Sequence, residues 1–364
     1  MTGTAQGAAF HACIRACLTA LPDDSAAAAS ALGALGRDAW LPFLGYAASH
    51  GVLAVLAPAM MRCPLPSDAT EDLHRRLLVQ EVWTTQVRTE LHGHLQRFAA
   101  ARIAVCALKG PSLAARVYAD PQTRPSIDVD LLVSPSDLAR ARAALLQDGY
   151  VGDPEQAEQY LMAHSHHLHF QREGGVGLEL HFHAYRGFGT IVDAAALIAH
   201  ATESRFDGAP VLTPSSEDEL IYLAAHAAGH SYVRLLWLFD LKLLVRNAAV
   251  DWQIVAERSE ALGLRRVVGY TLRLLEGWLD VRGLPESMMR VAPIRTWLAD
   301  RLLPRVAAPS EPTAADNLGG LVFTSVLCDS AAASWSLFSH HTSRALKRRT
   351  FRMAPGLVPA SWSA

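Results

Sequence analysis

Two aspartates, Asp128 and Asp130, punctuate an otherwise apolar run, Ile127-Asp128-Val129-Asp130-Leu131-Leu132-Val133. Side chains of a strand alternate between faces, so both carboxylates share one face while Ile127, Val129 and Leu131 share the other. A half-solvated strand with two exposed acids is the plainer account of such a pair. The dense Leu and Val flanks favour a central, buried strand instead, where carboxylates without a cation are costly. Upstream, Leu108-Lys109-Gly110-Pro111-Ser112 reads as a glycine turn opening a helix. Proline suits that first turn, where its missing N–H costs nothing. Paired carboxylates on a rigid strand suit divalent metal against a triphosphate, and a helix N-terminus suits the phosphates themselves.

The 364 residues, 51% of them hydrophobic, suffice for two domains or one domain with helical extensions. Residues 1–62 are Ala-rich and helical in pattern, and Cys63-Pro64-Leu65-Pro66-Ser67 is a linker. Leu73, Leu77, Val87, Leu91, Leu95 and Phe98 then form one stripe of a long amphipathic helix. A buried strand at 103–108 and a short helix at 113–118 follow. Next come the Asp strand at 127–133 and a helix launched by Ser134-Pro135-Ser136-Asp137 that ends near Gly149. Residues 167–170 and 178–183 alternate as strands around a Glu173-Gly174-Gly175 turn. From Ser215 the pattern is helical: Ser216 with Glu219 makes a capping box, and the helix runs to about Leu244. Further helices are expected at 252–262, 265–279 and 288–303. The fold class is therefore α+β, a small mixed β-sheet core at 67–213 between helical regions at 1–66 and 214–364.

A net charge of −2 gives no global basic field to recruit nucleic acid. The basic cluster at 344–352 is a local exception, read as the solvated end of a terminal helix or a contact to nucleic acid or anionic lipid. Cys13, Cys17, Cys63, Cys106 and Cys328 include no Cys-x-x-Cys pair, which fits a reducing compartment. Cys106 reads as a small core residue, and Cys13 and Cys17, one turn apart, as helix packing. No cationic stretch precedes an apolar block at the N-terminus, so a cytoplasmic location is expected. The apolar stretch 318–338 holds Asp329 and small polar residues and reads as a buried helix, not a membrane span.

The ordered series Lys109-Gly110, Arg124, Asp128 and Asp130, Glu179-Leu180-His181, then His226 to Asp240 resembles a family of uncharacterised bacterial nucleotidyltransferases. That family lies within the DNA polymerase β-like superfamily, and the resemblance covers roughly residues 70–250. It implies nucleotidyl transfer: an NTP donates its nucleoside monophosphate to a hydroxyl or phosphate acceptor and releases pyrophosphate. It also implies Mg²⁺, or Mn²⁺, on Asp128 and Asp130. Glu179, where relatives more often carry Asp, would be a third metal ligand or the general base. Lys109, Gly110 and Ser112 would hold phosphate, and Arg124 would fork onto the β- or γ-phosphate. The acceptor stays open among a small molecule, a peptide or protein, and RNA.

Histidines crowd the later strands: His164, His166, His167, His169, His181 and His183. Alone they suggest a zinc or other transition-metal site, although no His-Glu-x-x-His pattern is present. If the strands pair, His167 or His169 lies beside the carboxylates, able to orient an acceptor or bond a metal ligand. On one helix, His226, His230, Trp237 and Asp240 would fall within a narrow arc, facing a cleft or forming a buried His–Asp pair. Two other classes compete: a metal-dependent hydrolase built on the histidines, and a non-catalytic nucleotide-binding or interaction protein.

Overall fold

Apolar periodicity organises the first hundred residues of the computed structural model, which describes residues 2–306 and 314–337. Four short helices, α1 (Thr2–Ala20), α2 (Ser25–Leu32), α3 (Trp40–Ser49) and α4 (Leu53–Met60), precede the long α5 (Ser67–Ala100). The expected stripe on α5 is split between two cores. Leu73 joins a helical core, while Val87, Leu91, Leu95 and Phe98 lie against the sheet.

The sheet region follows in the order β1 (Val105–Ala107), α6 (Gly110–Val117), β2 (Asp128–Val133), α7 (Leu138–Gln147), β3 (Val151–Gly152), α8 (Glu155–His164), β4 (His167–Gln171) and β5 (Gly177–His181). After it come β6 (His183–Gly187), β7 (Thr190–Asp193), α9 (Ala194–Ala199), β8 (Thr202–Phe206) and β9 (Ala209–Thr213). Seven strands make one mixed sheet in the order β3-β4-β5-β2-β1-β9-β8, and β6 pairs only with β7. Period-two alternation decides what each face buries. Val105, Val129, Leu131, Val133, Leu168, Phe170, Leu178 and Leu180 pack with α5 and α7 in one core. On the opposite face Cys106 and Leu132 join the helical core, leaving the remaining positions of β2, β4 and β5 to polar groups. Burying each such large aliphatic side chain is worth about 1.5–3 kcal/mol, which pins the register and so pins the carboxylates.

The C-terminal part comprises α10 (Ser216–Gly229), α11 (Leu235–Asn247), α12 (Trp252–Ala261), α13 (Arg265–Leu279), α14 (Glu286–Met289), α15 (Pro293–Val306) and α16 (Ala314–Leu327). It shares one hydrophobic core with the N-terminal helices: Phe10, Ile14 and Leu18 belong to the same cluster as Leu272 and Leu275. Lys242 of α11 ties the two regions by donating to the Leu18 and Thr19 carbonyls at 2.7 Å each. Cys106 is core, and Cys13 and Cys17 donate to the Ala31 and Ala28 carbonyls at 3.5 Å, as packing residues would. Among the described residues no helix is long and apolar enough to cross a membrane. The stretch read as one buried helix at 318–338 is broken: α16 ends at Leu327, residues 328–330 are not helical and 331–337 form a separate helix. Phe323, Val326 and Leu327 are buried, but Leu318 and Trp335 are exposed. Phe338 and the basic cluster at 344–352 lie outside the described residues.

Several expected boundaries are corrected. The helix expected at 113–118 already starts at Gly110. Ser134 and Asp137 close a turn (Asp137 N to Ser134 O, 2.8 Å), so α7 begins only at Leu138. Ile127 precedes β2 and is exposed. The strand expected to run to His183 ends at His181, and His183 opens the separate β6–β7 pair. Ser215, not Ser216, caps α10 by accepting from Asp218 N at 3.2 Å, while Glu219 turns to Arg116. The single helix expected to Leu244 is two, because Ser231 and Tyr232 adopt left-handed φ of 53° and 54° and end the first. The helix expected at 288–303 is likewise interrupted between Met289 and Pro293.

Candidate active site

Three adjacent strands put their polar alternates on one face. β2 and β5 run parallel with Asp130 opposite Glu179, and β4 runs antiparallel to β5 with His169 opposite Glu179 and His167 opposite His181. The sequence reading of shared faces therefore assembles Asp128, Asp130, Glu179, His167, His169 and His181 on one patch. His183 is not part of it; it faces Asp193 at 3.5 Å in the other sheet.

The phosphate turn meets this patch from β1. Leu108 N donates to Asp130 O at 3.1 Å, so Lys109 leaves the sheet beside Asp130. Both Lys109 (φ 40°) and Gly110 (φ 55°) are left-handed, a conformation a non-glycine residue adopts only under constraint. Backbone bonds hold the chain on both sides, Leu108 N to Asp130 O and Leu113 N to Lys109 O at 3.1 Å each, and the Lys109 side chain forms an ion pair, Nζ to Asp130 Oδ1 at 3.1 Å. At Gly110 the nearest atom to a would-be Cβ is Ser126 Oγ at 3.7 Å, so glycine is required by φ and not by space. The α6 N-terminus is uncapped by any side chain, and Ser112 is buried in its first turn. In that turn Pro111 has no N–H and Leu113 N donates to Lys109 O at 3.1 Å, which leaves the amides of Gly110 and Ser112 as the ones that could meet an anion.

Charge is balanced internally. His181 Nε2 lies 3.2 Å from Asp130 Oδ1 and 3.4 Å from Glu179 Oε2. Burial works to lower His181, but its hydrogen bonds to Asp130 and Glu179 prevail and raise it, favouring imidazolium. Burial likewise opposes the Lys109 ammonium, yet Asp130, Tyr222, Asp128 and Glu179 together raise it above its ordinary value. Burial would raise Glu179, but the His181 hydrogen bond, His167 and Lys109 hold it well below the usual carboxylate range. Asp128 is pushed up to about 7, first by burial and then by the Asp130 charge, with Lys109 opposing.

The donor set fits a divalent cation. Asp130 Oδ2 is buried and accepts no hydrogen bond, and Asp130, Glu179 and His181 offer ligand atoms within 4.8 Å of one another. An unpaired buried carboxylate oxygen is costly unless a cation reaches it. Asp128 shares the face but belongs to no such trio among the described residues, and His181, favoured as imidazolium between Asp130 and Glu179, has no lone pair to offer an ion while it stays protonated.

Two expected ligands are placed elsewhere. Arg124 is not free to fork onto phosphate. Its Nε and Nη2 donate to Asp240 Oδ1 and Oδ2 at 2.8 Å each, and Nη1 donates to Ser126 Oγ at 3.0 Å. Asp240 is correspondingly not an acceptor contact: it is fully buried, and Tyr118 Oη also donates to it at 2.6 Å. His226 is half-buried and His230 exposed. On α10 and just after it, Tyr222, His226 and His230 recur every four residues, and Trp237 of α11 meets both histidine rings at 5.0 and 5.3 Å between centroids. Lys109 is the charge that most strongly opposes protonation of both histidines, after burial itself. This cluster therefore lies within electrostatic reach of Lys109. Tyr222, buried and coupled to Lys109, Asp130 and Glu179, was missed by reading the sequence, although it lies one helical turn before His226.

The profile of a family described as uncharacterised nucleotidyltransferase matches residues 37–280, well over half the chain. No curated protein is significantly similar. Among solved structures, an antigenic nucleotidyltransferase-like protein from Paracoccidioides brasiliensis aligns with 56% of this chain and 92% of its own, at 15% identity and a TM-score of 0.36.

Proposed function

The chain belongs to the uncharacterised nucleotidyltransferase family, and from that premise we propose that it moves a nucleoside monophosphate from an NTP to a hydroxyl or phosphate acceptor, releasing pyrophosphate. The observation that carries this reading is the buried, unpartnered Asp130 Oδ2 beside Glu179, with Lys109 on the other oxygen of the same carboxylate, Oδ1, at the mouth of an uncapped helix. Asp130, Glu179 and Asp128 would hold divalent metal, Mg²⁺ or Mn²⁺. When bound, such a cation neutralises the triphosphate and polarises the phosphorus under attack. Glu179, held as a carboxylate well below its usual range, suits a ligand better than a base. Lys109 and the amides of Gly110 and Ser112 would bind the phosphates, and Lys109 would exchange its Asp130 contact for the anionic substrate as it does so. His226, His230 and Trp237 would then bound the space for base, ribose or acceptor.

The test is a thermal-shift panel of ATP, GTP, CTP and UTP, each with and without Mg²⁺, on wild type and the Asp128→Asn/Asp130→Asn double variant. A ligand that binds only the native state raises its apparent stability. Stabilisation by an NTP that needs Mg²⁺ and vanishes in the folded variant supports the assignment and names the donor. No response to any NTP from well-folded wild-type protein would rule it out.

A further inference from the structure

Glu179 stands between two unlike neighbourhoods. On the β2 side are Asp130 and Asp128, hard oxygen donors; on the β4 side are His167 and His169, nitrogen donors. We propose that His167, His169 and Glu179 form a second cation site, selective for a transition-metal dication of the zinc kind over Mg²⁺. Two imidazoles and one carboxylate suit such an ion, whereas Mg²⁺ prefers oxygen ligands and water.

The geometry distinguishes a site from a satisfied polar cluster. His167 Nδ1 is 3.7 Å from Glu179 Oε2, and His169 Nδ1 is 3.8 Å from Glu179 Oε1. Hydrogen-bonded groups would have closed to about 2.7–3.2 Å. Donor atoms around a tetrahedral zinc, with bonds of about 2.0–2.1 Å, lie roughly 3.3–3.5 Å apart, close to the separations found. All three residues offer a ligand atom within 4.8 Å of one another. The contact that does close is His167 Nε2 to His169 Nε2 at 3.1 Å, which holds the two rings together. It leaves His167 Nδ1 buried with no hydrogen bond. Metal binding ends that ring-to-ring bond, since each ring must then turn a lone pair to the ion. The Glu179 and His169 side chains keep 23% and 30% of their exposure, so an ion can enter and retain an open coordination position. His166 and His181 also group with His167, but His181 is already engaged by Asp130 and Glu179.

The site rests on side-chain placement and not on the nucleotide reading. Metal-stripped full-length protein is titrated with Co²⁺ and followed by visible absorption, then back-titrated with Zn²⁺. Four-coordinate Co²⁺ on nitrogen ligands absorbs strongly, while an ion on oxygens and water absorbs weakly. One equivalent of Co²⁺ should raise intense bands that Zn²⁺ removes and excess Mg²⁺ does not. His169→Ala and His169→Asn should abolish the bands, and His183→Ala should keep them. Circular dichroism checks that each variant is folded. Weak bands in wild type, bands displaced by Mg²⁺, or bands that survive in either His169 variant would overturn the proposal. A Co²⁺ spectrum without any NTP response would sink only the nucleotide reading, and an NTP response without the spectrum only this one.

Discussion

Arg124 and Asp240, 116 residues apart in sequence, hold each other through two parallel 2.8 Å hydrogen bonds in the interior, the arginine 4% exposed and the aspartate not at all. The pair joins the loop before β2 to α11, and so fixes the start of the Asp strand relative to that helix. Removing one partner of a buried pair leaves an uncompensated charge and costs about 3–5 kcal/mol. Arg124→Ala should therefore lower the urea-unfolding free energy by that order, and Arg124→Met/Asp240→Leu should recover most of it. An Arg124→Ala protein that keeps its stability yet loses NTP binding would return Arg124 to the phosphates.

Lys109 and a metal ion compete for Asp130. The ammonium reaches Oδ1 at 3.1 Å, and its loss leaves Asp128, Asp130 and Glu179 facing one another with His181 as the contact that relieves them. Lys109→Met should thus be less stable than wild type without metal, and should gain more in melting temperature on adding Mg²⁺. Its NTP affinity should fall because the phosphates lose a cation. Calorimetric melting with and without Mg²⁺ reads the first two effects. An equal Mg²⁺ response in both proteins would show that metal and lysine do not share the carboxylate.

The Asp face was legible because period-two alternation needs no tertiary information: Asp128 and Asp130, then His167, His169 and Glu179, fell on common faces. Which strands neighbour one another was not legible, yet that placed Glu179 against Asp130. The Arg124–Asp240 pair was missed because each charge, read alone, looked like a ligand contact, and nothing local couples residues so far apart. The break at 230–234 was missed although Gly229 and Ser231 mark it, because His226, His230, Trp237 and Asp240 fall on one arc at helical spacing across it; Ser231 and Tyr232 turn left-handed there, and Tyr232 is buried and bonds Thr271 at 2.7 Å. Tyr222 escaped notice because a tyrosine among leucines reads as core.

Acid should destabilise the sheet through His94. Its ring is buried on α5, with Nε2 3.0 Å from Tyr150 Oη and Nδ1 3.0 Å from Arg97 Nη1. Arg97 can only donate, so Nδ1 must accept, and a proton there would face the guanidinium. The carboxylate of Glu90 offers no rescue, being committed to Arg172 and Tyr150. Burial, then Arg97 and Arg172, lower His94 to about 3. Between the unfolded value of 6.5 and about 3 the unfolded chain binds a proton that the native state refuses. Stability contributed by neutral His94 is thus complete above pH 6.5 and falls as the pH drops, by up to about 1.4 kcal/mol per pH unit. His94→Gln should flatten that part of the pH profile of urea unfolding. An unchanged slope between pH 6.5 and 4.5 would show that other groups carry it.

If the proposed function holds, the ring cluster of His226, His230 and Trp237 would give a ligand a stacking surface and not hydrogen-bond readout. Trp237 contacts both His226 and His230, and Arg234 lies 5.9 Å from the Trp237 ring centroid, so the cluster presents aromatic faces beside a cation. Stacking one base on such a face contributes about 1–3 kcal/mol and discriminates little among bases. Trp237→Ala should therefore weaken binding of a non-hydrolysable NTP analogue about five- to a hundred-fold, by a similar factor for purines and pyrimidines. Metal binding without nucleotide should be unaffected, because no carboxylate or strand histidine has moved. Isothermal titration with the two classes of analogue makes the comparison. An unchanged NTP affinity, with slower transfer to the acceptor once that is found, would move the cluster from the donor to the acceptor side of the reaction.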